Sequence, residues 1–74
     1  MEIYLSDFSQ GNIKAHATRD AKNHIVVVIP DYHLILTLQR DEGLWECTET
    51  SAFYNPVWIE QILYQIEHLT YHST

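Results

Sequence analysis

Apolar residues recur at helical spacing near the C-terminus of the chain. Four of them follow one another at steps of three, four and three: Ile59, Ile62, Ile66 and Leu69. This spacing places them on one helix face, which Trp58 and Leu63 widen. Asn55 is a favourable N-cap residue, and Pro56 suits the first helical position because no backbone donor is needed there. We therefore predict an amphipathic helix over residues 56–70, with an apolar face broad enough to cover a sheet.

Upstream of this helix, turn-forming residues divide the chain into short segments in which apolar and polar side chains alternate. The predicted turns lie at residues 9–12, 20–23, 30–31 and 41–43. Between them, strands are predicted over residues 2–8, 14–19, 24–29, 32–39 and 44–50. The sequence thus predicts an α+β fold: a four- or five-stranded antiparallel β-meander with one C-terminal α-helix packed on one face. At 74 residues, we expect a single compact domain over residues 1–74.

The leucines between residues 32 and 39 share one parity, so we expect them to meet the helix. Residues 25–29 are apolar at every step, which indicates a central strand with both faces at least partly covered. The predicted core residues are Ile25, Val27, Ile29, Leu34, Leu36, Leu38, Trp45, Ile59, Ile62, Ile66 and Leu69. Val26, Val28 and Ile35 then point to the opposite face of the sheet. Because one helix cannot cover both faces, that face calls for a partner or a second copy of the chain.

The charge is distributed unevenly along the chain. The formal net charge is -6, and the segment from residue 41 onward has six carboxylates and neither Lys nor Arg. Binding to nucleic acid or to an anionic membrane requires clustered cations, so we expect neither. We expect instead a protein partner with a basic surface, or self-association. Glu46 and Glu49, on the predicted strand 44–50, are the candidate contacts for such a partner.

Aromatic side chains give a second candidate surface, because nine large rings exceed what a small core can hide. The helix face away from the isoleucines is predicted to carry Gln61, Tyr64, His68 and Tyr71, amphipathic side chains that are enriched at contact surfaces. Phe53 and Tyr54 precede the helix cap. One of them is expected to staple the start of the helix to the body of the protein. Alternatively, residues 51–54 and Trp58 form a further contact surface, separate from the helix face.

The chain offers little for catalysis or for cofactors. No nucleophile-elbow or phosphate-loop motif is present, and we expect neither an enzyme nor a bound cofactor. His68 and His72 are spaced to share one helix face, but no third zinc ligand lies nearby in the sequence. A small-molecule or metal binder that uses these histidines and the neighbouring tyrosines is the alternative function. The leading expectation is a non-catalytic protein-protein interaction module.

Cysteine usage and hydropathy point to the cytoplasm. Cys47 is the only cysteine, so no internal disulfide is available, and we expect it to be a small buried hydrophobe. The longest apolar run covers residues 25–30, far short of the roughly 20 residues of a membrane helix. The first residues lack the cationic start and apolar stretch of a secretion signal.

Overall fold

The computed structural model describes residues 1–7 and 11–72, with side chains as far as His68. The strands are β1 (Glu2–Leu5), β2 (Ile13–Ala21), β3 (His24–Ile29), β4 (Leu34–Asp41) and β5 (Leu44–Thr50), and the helix is α1 (Val57–His72). All strands are antiparallel to their neighbours, in the order β1-β2-β3-β4-β5. The isoleucine face of α1 packs on one side of this sheet. The predicted α+β meander is therefore confirmed, with five strands.

The predicted bounds of β3 and β5 are confirmed, since turn-forming residues flank both strands. β4 begins at Leu34, two residues later than predicted, because Pro30–Tyr32 form one turn of 3-10 helix. His33 follows this turn with a φ of 50°, in the left-handed region, and redirects the chain into β4. Of the other predictions, Phe8 at the end of the first strand and residues 9 and 10 of the first turn lie outside the described residues.

The core agrees with the prediction on β3, β4 and α1 and extends further toward β1. All six predicted residues of β3 and β4 are buried, as are Ile62 and Ile66. Trp45 and Ile59 are half-buried at the margin of the core, and the side chain of Leu69 lies outside the described ones. Buried residues that the prediction did not include are Ile3, Leu5, Ile13, Ala15, Ala17 and Trp58. The helix accounts for this shift because it lies closest to β1.

The start of α1 is fixed by local contacts. The side-chain oxygen of Asn55 accepts a hydrogen bond from the backbone N–H of Val57 at 3.0 Å, as expected of an N-cap. Tyr54 packs against the core together with Ile59, so Tyr54 is the residue that staples the helix start. Phe53 takes no part in this packing and is fully exposed.

Two glutamines of α1 close the β1 edge of the sheet. Gln65 accepts a hydrogen bond from the N–H of Tyr4 at 2.9 Å and donates one to its carbonyl oxygen at 2.5 Å. Gln61 does the same at Ser6, with distances of 2.8 and 3.0 Å. The indole N–H of Trp58 also donates to the Ser6 carbonyl, at 3.2 Å. The helix thereby supplies the hydrogen bonds that a sixth strand would otherwise make, and this edge is closed to further pairing.

Candidate functional site

The candidate site is the open face, which we define as the side of the sheet opposite α1. Val28 on β3 lies directly opposite Ile35 on β4, and Val26 lies opposite Thr37. Val28 and Ile35 remain 37% and 49% exposed, while Val26 is half-buried among its neighbours. No helix or strand within the described residues packs over this side. The strand predicted to have both faces covered is thus sealed only on the helix side.

Polar side chains frame this apolar strip. In the row through Val26, Thr18 lies opposite on β2, and Thr37 and Glu49 continue the row onto β5. Glu46 lies one row further, opposite Gln39. Both carboxylates are exposed, and they share the open face because their partners on β4 have the same parity. The structure therefore brings the predicted contacts Glu46 and Glu49 onto the same face as the valines and Ile35.

A bulge determines this arrangement of the two glutamates. The register between β4 and β5 shifts between Thr37 and Leu38, so that Leu38 pairs with Cys47 and Thr37 pairs with Glu49. Thr48 is the extra residue and donates its hydroxyl to the Thr37 carbonyl at 3.4 Å. Without the bulge, the period of a strand would turn Glu46 and Glu49 to opposite faces. Sequence alternation alone predicted Glu46, Thr48 and Thr50 on one side. This is wrong for Thr50, because the bulge pairs it with buried Leu36 on the helix side of the sheet.

The opposite end of the open face has its own charge pair. Lys14 on β2 lies 3.5 Å from the Glu2 carboxylate on β1, and the hydroxyl of Tyr4 donates a hydrogen bond to the same carboxylate. This bond, with a smaller contribution from Lys14, lowers the pKa of Glu2 below its ordinary value. The same bond raises the pKa of Tyr4. Lys14 is thus partly neutralised by Glu2, whereas Glu46 and Glu49 have no cationic partner among the described ion pairs.

The arginines lie on the other side of the sheet. Arg19 pairs with buried Ile25, and Arg40 pairs with Trp45, which places both on the helix side. Their guanidinium carbons lie 5.8 and 5.5 Å from the centre of the Trp45 ring, within the range of cation-π contacts. The fold therefore separates charge across the sheet: guanidinium groups gather around Trp45, and carboxylates predominate on the open face.

The aromatic surface predicted on the helix is only partly assembled. Tyr64 is 63% exposed and stacks on the His68 ring with a centroid distance of 4.0 Å. Gln61, which was predicted to lie beside them, lines the same surface depression as Tyr64, but its amide is engaged with the edge of β1. The side chains of Tyr71 and His72 lie outside the described ones. Tyr64 and His68 therefore form an exposed stacked pair on the outer side of α1.

Two further contacts involve titratable side chains, one at the β2–β3 turn and one beside Cys47. His24 lies 2.5 Å from Asp20 at the β2–β3 turn, and hydrogen bonding with Cys47, with burial as a smaller cause, raises the pKa of Tyr54. Cys47 is half-buried, less enclosed than predicted, because β5 is an edge strand. Among the side chains described, those of residues 1–7 and 11–68, no three His, Cys, Asp or Glu come together as metal ligands would.

Comparison of the chain with protein-family models, with curated proteins and with solved structures finds no match in any of the three. In the part of the chain that the structure describes, no helix has the length and hydropathy required to span a bilayer. Arguments about function therefore rest on the chemistry of the open face.

Proposed function

We propose that this chain is a non-catalytic protein-interaction module whose open face docks a protein with a basic surface. The observation that carries the proposal is the exposed pair Val28 and Ile35, adjacent on the sheet and flanked by Glu46 and Glu49. An apolar centre with a polar rim is the usual anatomy of a protein interface. The single cysteine, Cys47, favours the cytoplasm as the setting.

The charge of the face favours a basic partner over a second copy of this chain. Each chain has a formal net charge of -6, so face-to-face association of two copies brings like charges together. The nearest arginines, Arg19 and Arg40, contact Trp45 on the other side of the sheet and are not available to offset Glu46 and Glu49. Complementary charge on a partner speeds association and excludes wrong partners.

The size of the face favours a transient complex. Strands about 4.8 Å apart, with about six residues at about 3.3 Å each, give a sheet face of roughly 24 by 20 Å. This footprint lies at the small end of specific interfaces, since each partner contributes about 800 Å² in the standard class. Interfaces of this size typically belong to reversible contacts, and the partner is expected to dissociate at raised ionic strength.

One charge variant with a matched control, and one variant of the apolar strip, test the proposal. Immobilised wild-type protein and the variants E46K/E49K and E60K/E67K are exposed to native lysate at low salt, and bound proteins are quantified by mass spectrometry. Both double variants change the net charge equally, but Glu60 and Glu67 lie on α1. The variant V28S/I35S tests the apolar strip, and circular dichroism confirms that each variant folds.

The proposal requires a set of basic proteins that wild type and E60K/E67K retain and that E46K/E49K and V28S/I35S lose. Equal loss in the two charge variants would show that binding depends on net charge alone and would contradict a docking face. Retention of the same proteins by V28S/I35S would contradict a role for the apolar strip. An elevated mass of the free protein in light scattering, abolished by V28S/I35S, would identify a second copy as the occupant and overturn the basic partner.

A further inference from the structure

The two edges of the sheet are treated differently by the fold. At β1, the glutamine amides of α1 occupy the backbone groups of Tyr4 and Ser6. At the other end of the strand order, β5 pairs with β4 alone within the described part of the chain. A strand edge with unoccupied N–H and C=O groups is a template for pairing with another strand. β5 therefore provides the one pairing edge that the described structure leaves open.

Hydrogen bonds of neighbouring residues show which backbone groups of β5 point outward. The N–H of Arg40 donates to Asn23 at 2.9 Å, toward β3, so Trp45, opposite Arg40, turns its backbone groups away from β4. The N–H of Ser51 donates to the Ile35 carbonyl at 3.1 Å. Thr50, the preceding residue, then also points outward. Trp45 and Thr50 thus present backbone groups at the open edge.

The side chains beside this edge differ between its two sides. On the open face they are Glu46 and Glu49, both exposed. On the helix side they are Trp45 and Cys47, which pack against the margin of the core. A regular strand added to β5 would pair across the Thr48 bulge, as β4 does, and its side chains would alternate between the two faces of the sheet. Its side chains would lie next to carboxylates on one face and next to apolar groups on the other.

Pairing of β5 with β5 of a second copy is disfavoured by the same side chains. Antiparallel pairing about a two-fold axis would place Glu46 and Glu49 of one chain beside those of the other, on the same face. Like charges at neighbouring cross-strand positions are destabilising. A strand with cations at these positions would be attracted to Glu46 and Glu49. The edge therefore favours a basic partner over a second copy of the chain.

We infer that β5 accepts an extended segment of a protein partner by strand addition, with Lys or Arg beside Glu46 and Glu49 and apolar residues beside Trp45 and Cys47. The inference rests on the proposed function, since it specifies how a basic partner would engage this side of the protein. Main-chain bonds would supply affinity, and the alternation of cationic and apolar side chains would supply selectivity.

The probe is a capped ten-residue peptide that alternates lysine and valine. In its control, the central valine is replaced by proline and the adjacent lysine has an N-methylated backbone amide. These changes remove backbone donors on both sides of the strand and keep every cation. Binding to the 15N-labelled protein is followed by NMR through chemical shifts and through hydrogen exchange of the Trp45 and Thr50 amides.

The inference requires that the alternating peptide slow exchange of both amides by roughly tenfold or more at saturation, since each would become hydrogen-bonded. The control peptide must leave this exchange unchanged, and the E46K/E49K variant must not bind the alternating peptide. Absence of binding, or binding without protection of Trp45 and Thr50, would overturn strand addition. If both peptides shift Val28 and Ile35 without protecting β5, strand addition fails while the docking face stands.

Discussion

Gln65 holds both backbone groups of Tyr4 from outside the sheet, accepting from its N–H at 2.9 Å and donating to its carbonyl at 2.5 Å. A primary amide carries an N–H donor and a carbonyl acceptor side by side, so one side chain can satisfy both outward backbone groups of a strand residue. Gln61, one turn earlier, repeats the arrangement at Ser6. The helix thus packs over the core and also terminates the sheet.

Replacing Gln65 with alanine should lower the free energy of unfolding by about 1 kcal/mol, because its two hydrogen bonds to Tyr4 and one to the Gln61 carbonyl are lost while alanine adds some helix propensity. Urea unfolding followed by circular dichroism measures the change. Glu67→Ala is the matched control, since Glu67 is exposed on the same helix. An equal effect of the two substitutions would show that the amide bonds to Tyr4 contribute nothing to stability.

Removing both glutamines should also open the β1 edge. In Q61A/Q65A, both outward backbone groups of Tyr4 and the N–H of Ser6 lose their partners, while the Ser6 carbonyl keeps its bond from Trp58. An unprotected edge promotes association between chains. Light scattering is expected to show concentration-dependent association of the double variant at protein concentrations where wild type does not associate. A double variant whose mass matches that of wild type at every concentration would refute edge closure as the role of these glutamines.

Tyr4→Phe should raise the pKa of the Glu2 carboxyl, since the tyrosine hydroxyl is the main cause of its lowered value. A carboxyl with a lowered folded-state pKa stabilises the fold above its unfolded pKa, and this contribution is lost as the pH falls through the folded pKa. The stability difference between wild type and variant should therefore be present at neutral pH and vanish in acid. NMR titration of the Glu2 side-chain carbonyl measures the pKa, and an unchanged value in the variant would contradict the assignment.

The two tryptophans should differ in their contribution to stability. Trp58 is 4% exposed, donates to Ser6 and stacks on Tyr32, so Trp58→Phe should cost about 1–2 kcal/mol. Trp45 is half-buried beside two guanidinium groups, and Trp45→Phe should cost less than about 1 kcal/mol because these contacts are partly solvated. Urea unfolding followed by far-ultraviolet circular dichroism measures the loss of stability in each variant. A larger loss for Trp45→Phe than for Trp58→Phe would contradict this prediction.

Neighbouring valines on β3 distinguish the sealed face from the open one. Val27→Thr places a hydroxyl in the core and should cost roughly 2 kcal/mol. Val28→Thr, with the same change in shape, should alter stability by less than about 0.5 kcal/mol because the residue faces solvent. Equal costs in chemical denaturation would indicate that Val28 is sheltered within the chain, which would remove the basis of the docking face.

Local patterns in the sequence were sufficient for the elements but not for their lateral arrangement. The alternation in β4 and the isoleucine spacing in α1 identify the buried faces, because each repeats the period of its element. Neither pattern tells over which strands the helix lies, and its position near β1 brings Ile3 and Ile13 into the core. The pair Gln61 and Gln65 has i, i+4 spacing, and this was the available signal for edge closure.

The placement of Glu49 could not be predicted from the sequence for a different reason. A bulge is a local shift of register, and residues 47–49 show neither glycine nor an interrupted apolar run that would signal one. The exposure of Val28 and Ile35 could be predicted because a sheet has two faces and the sequence has only one helix to cover them. The apolar part of the candidate site could thus be predicted from the sequence, whereas the position of Glu49 depends on how β4 and β5 pair.

The sharpest test of the open face as a docking surface is the NMR footprint of a basic partner on the 15N-labelled protein. A partner recovered with wild type and lost with E46K/E49K would be titrated at low salt, and backbone amide shifts would be followed. The expected footprint covers Val26, Val28 and Ile35 and fades as the salt concentration rises. A footprint centred on Tyr64 and His68 of α1, with β3 and β4 unperturbed, would contradict it.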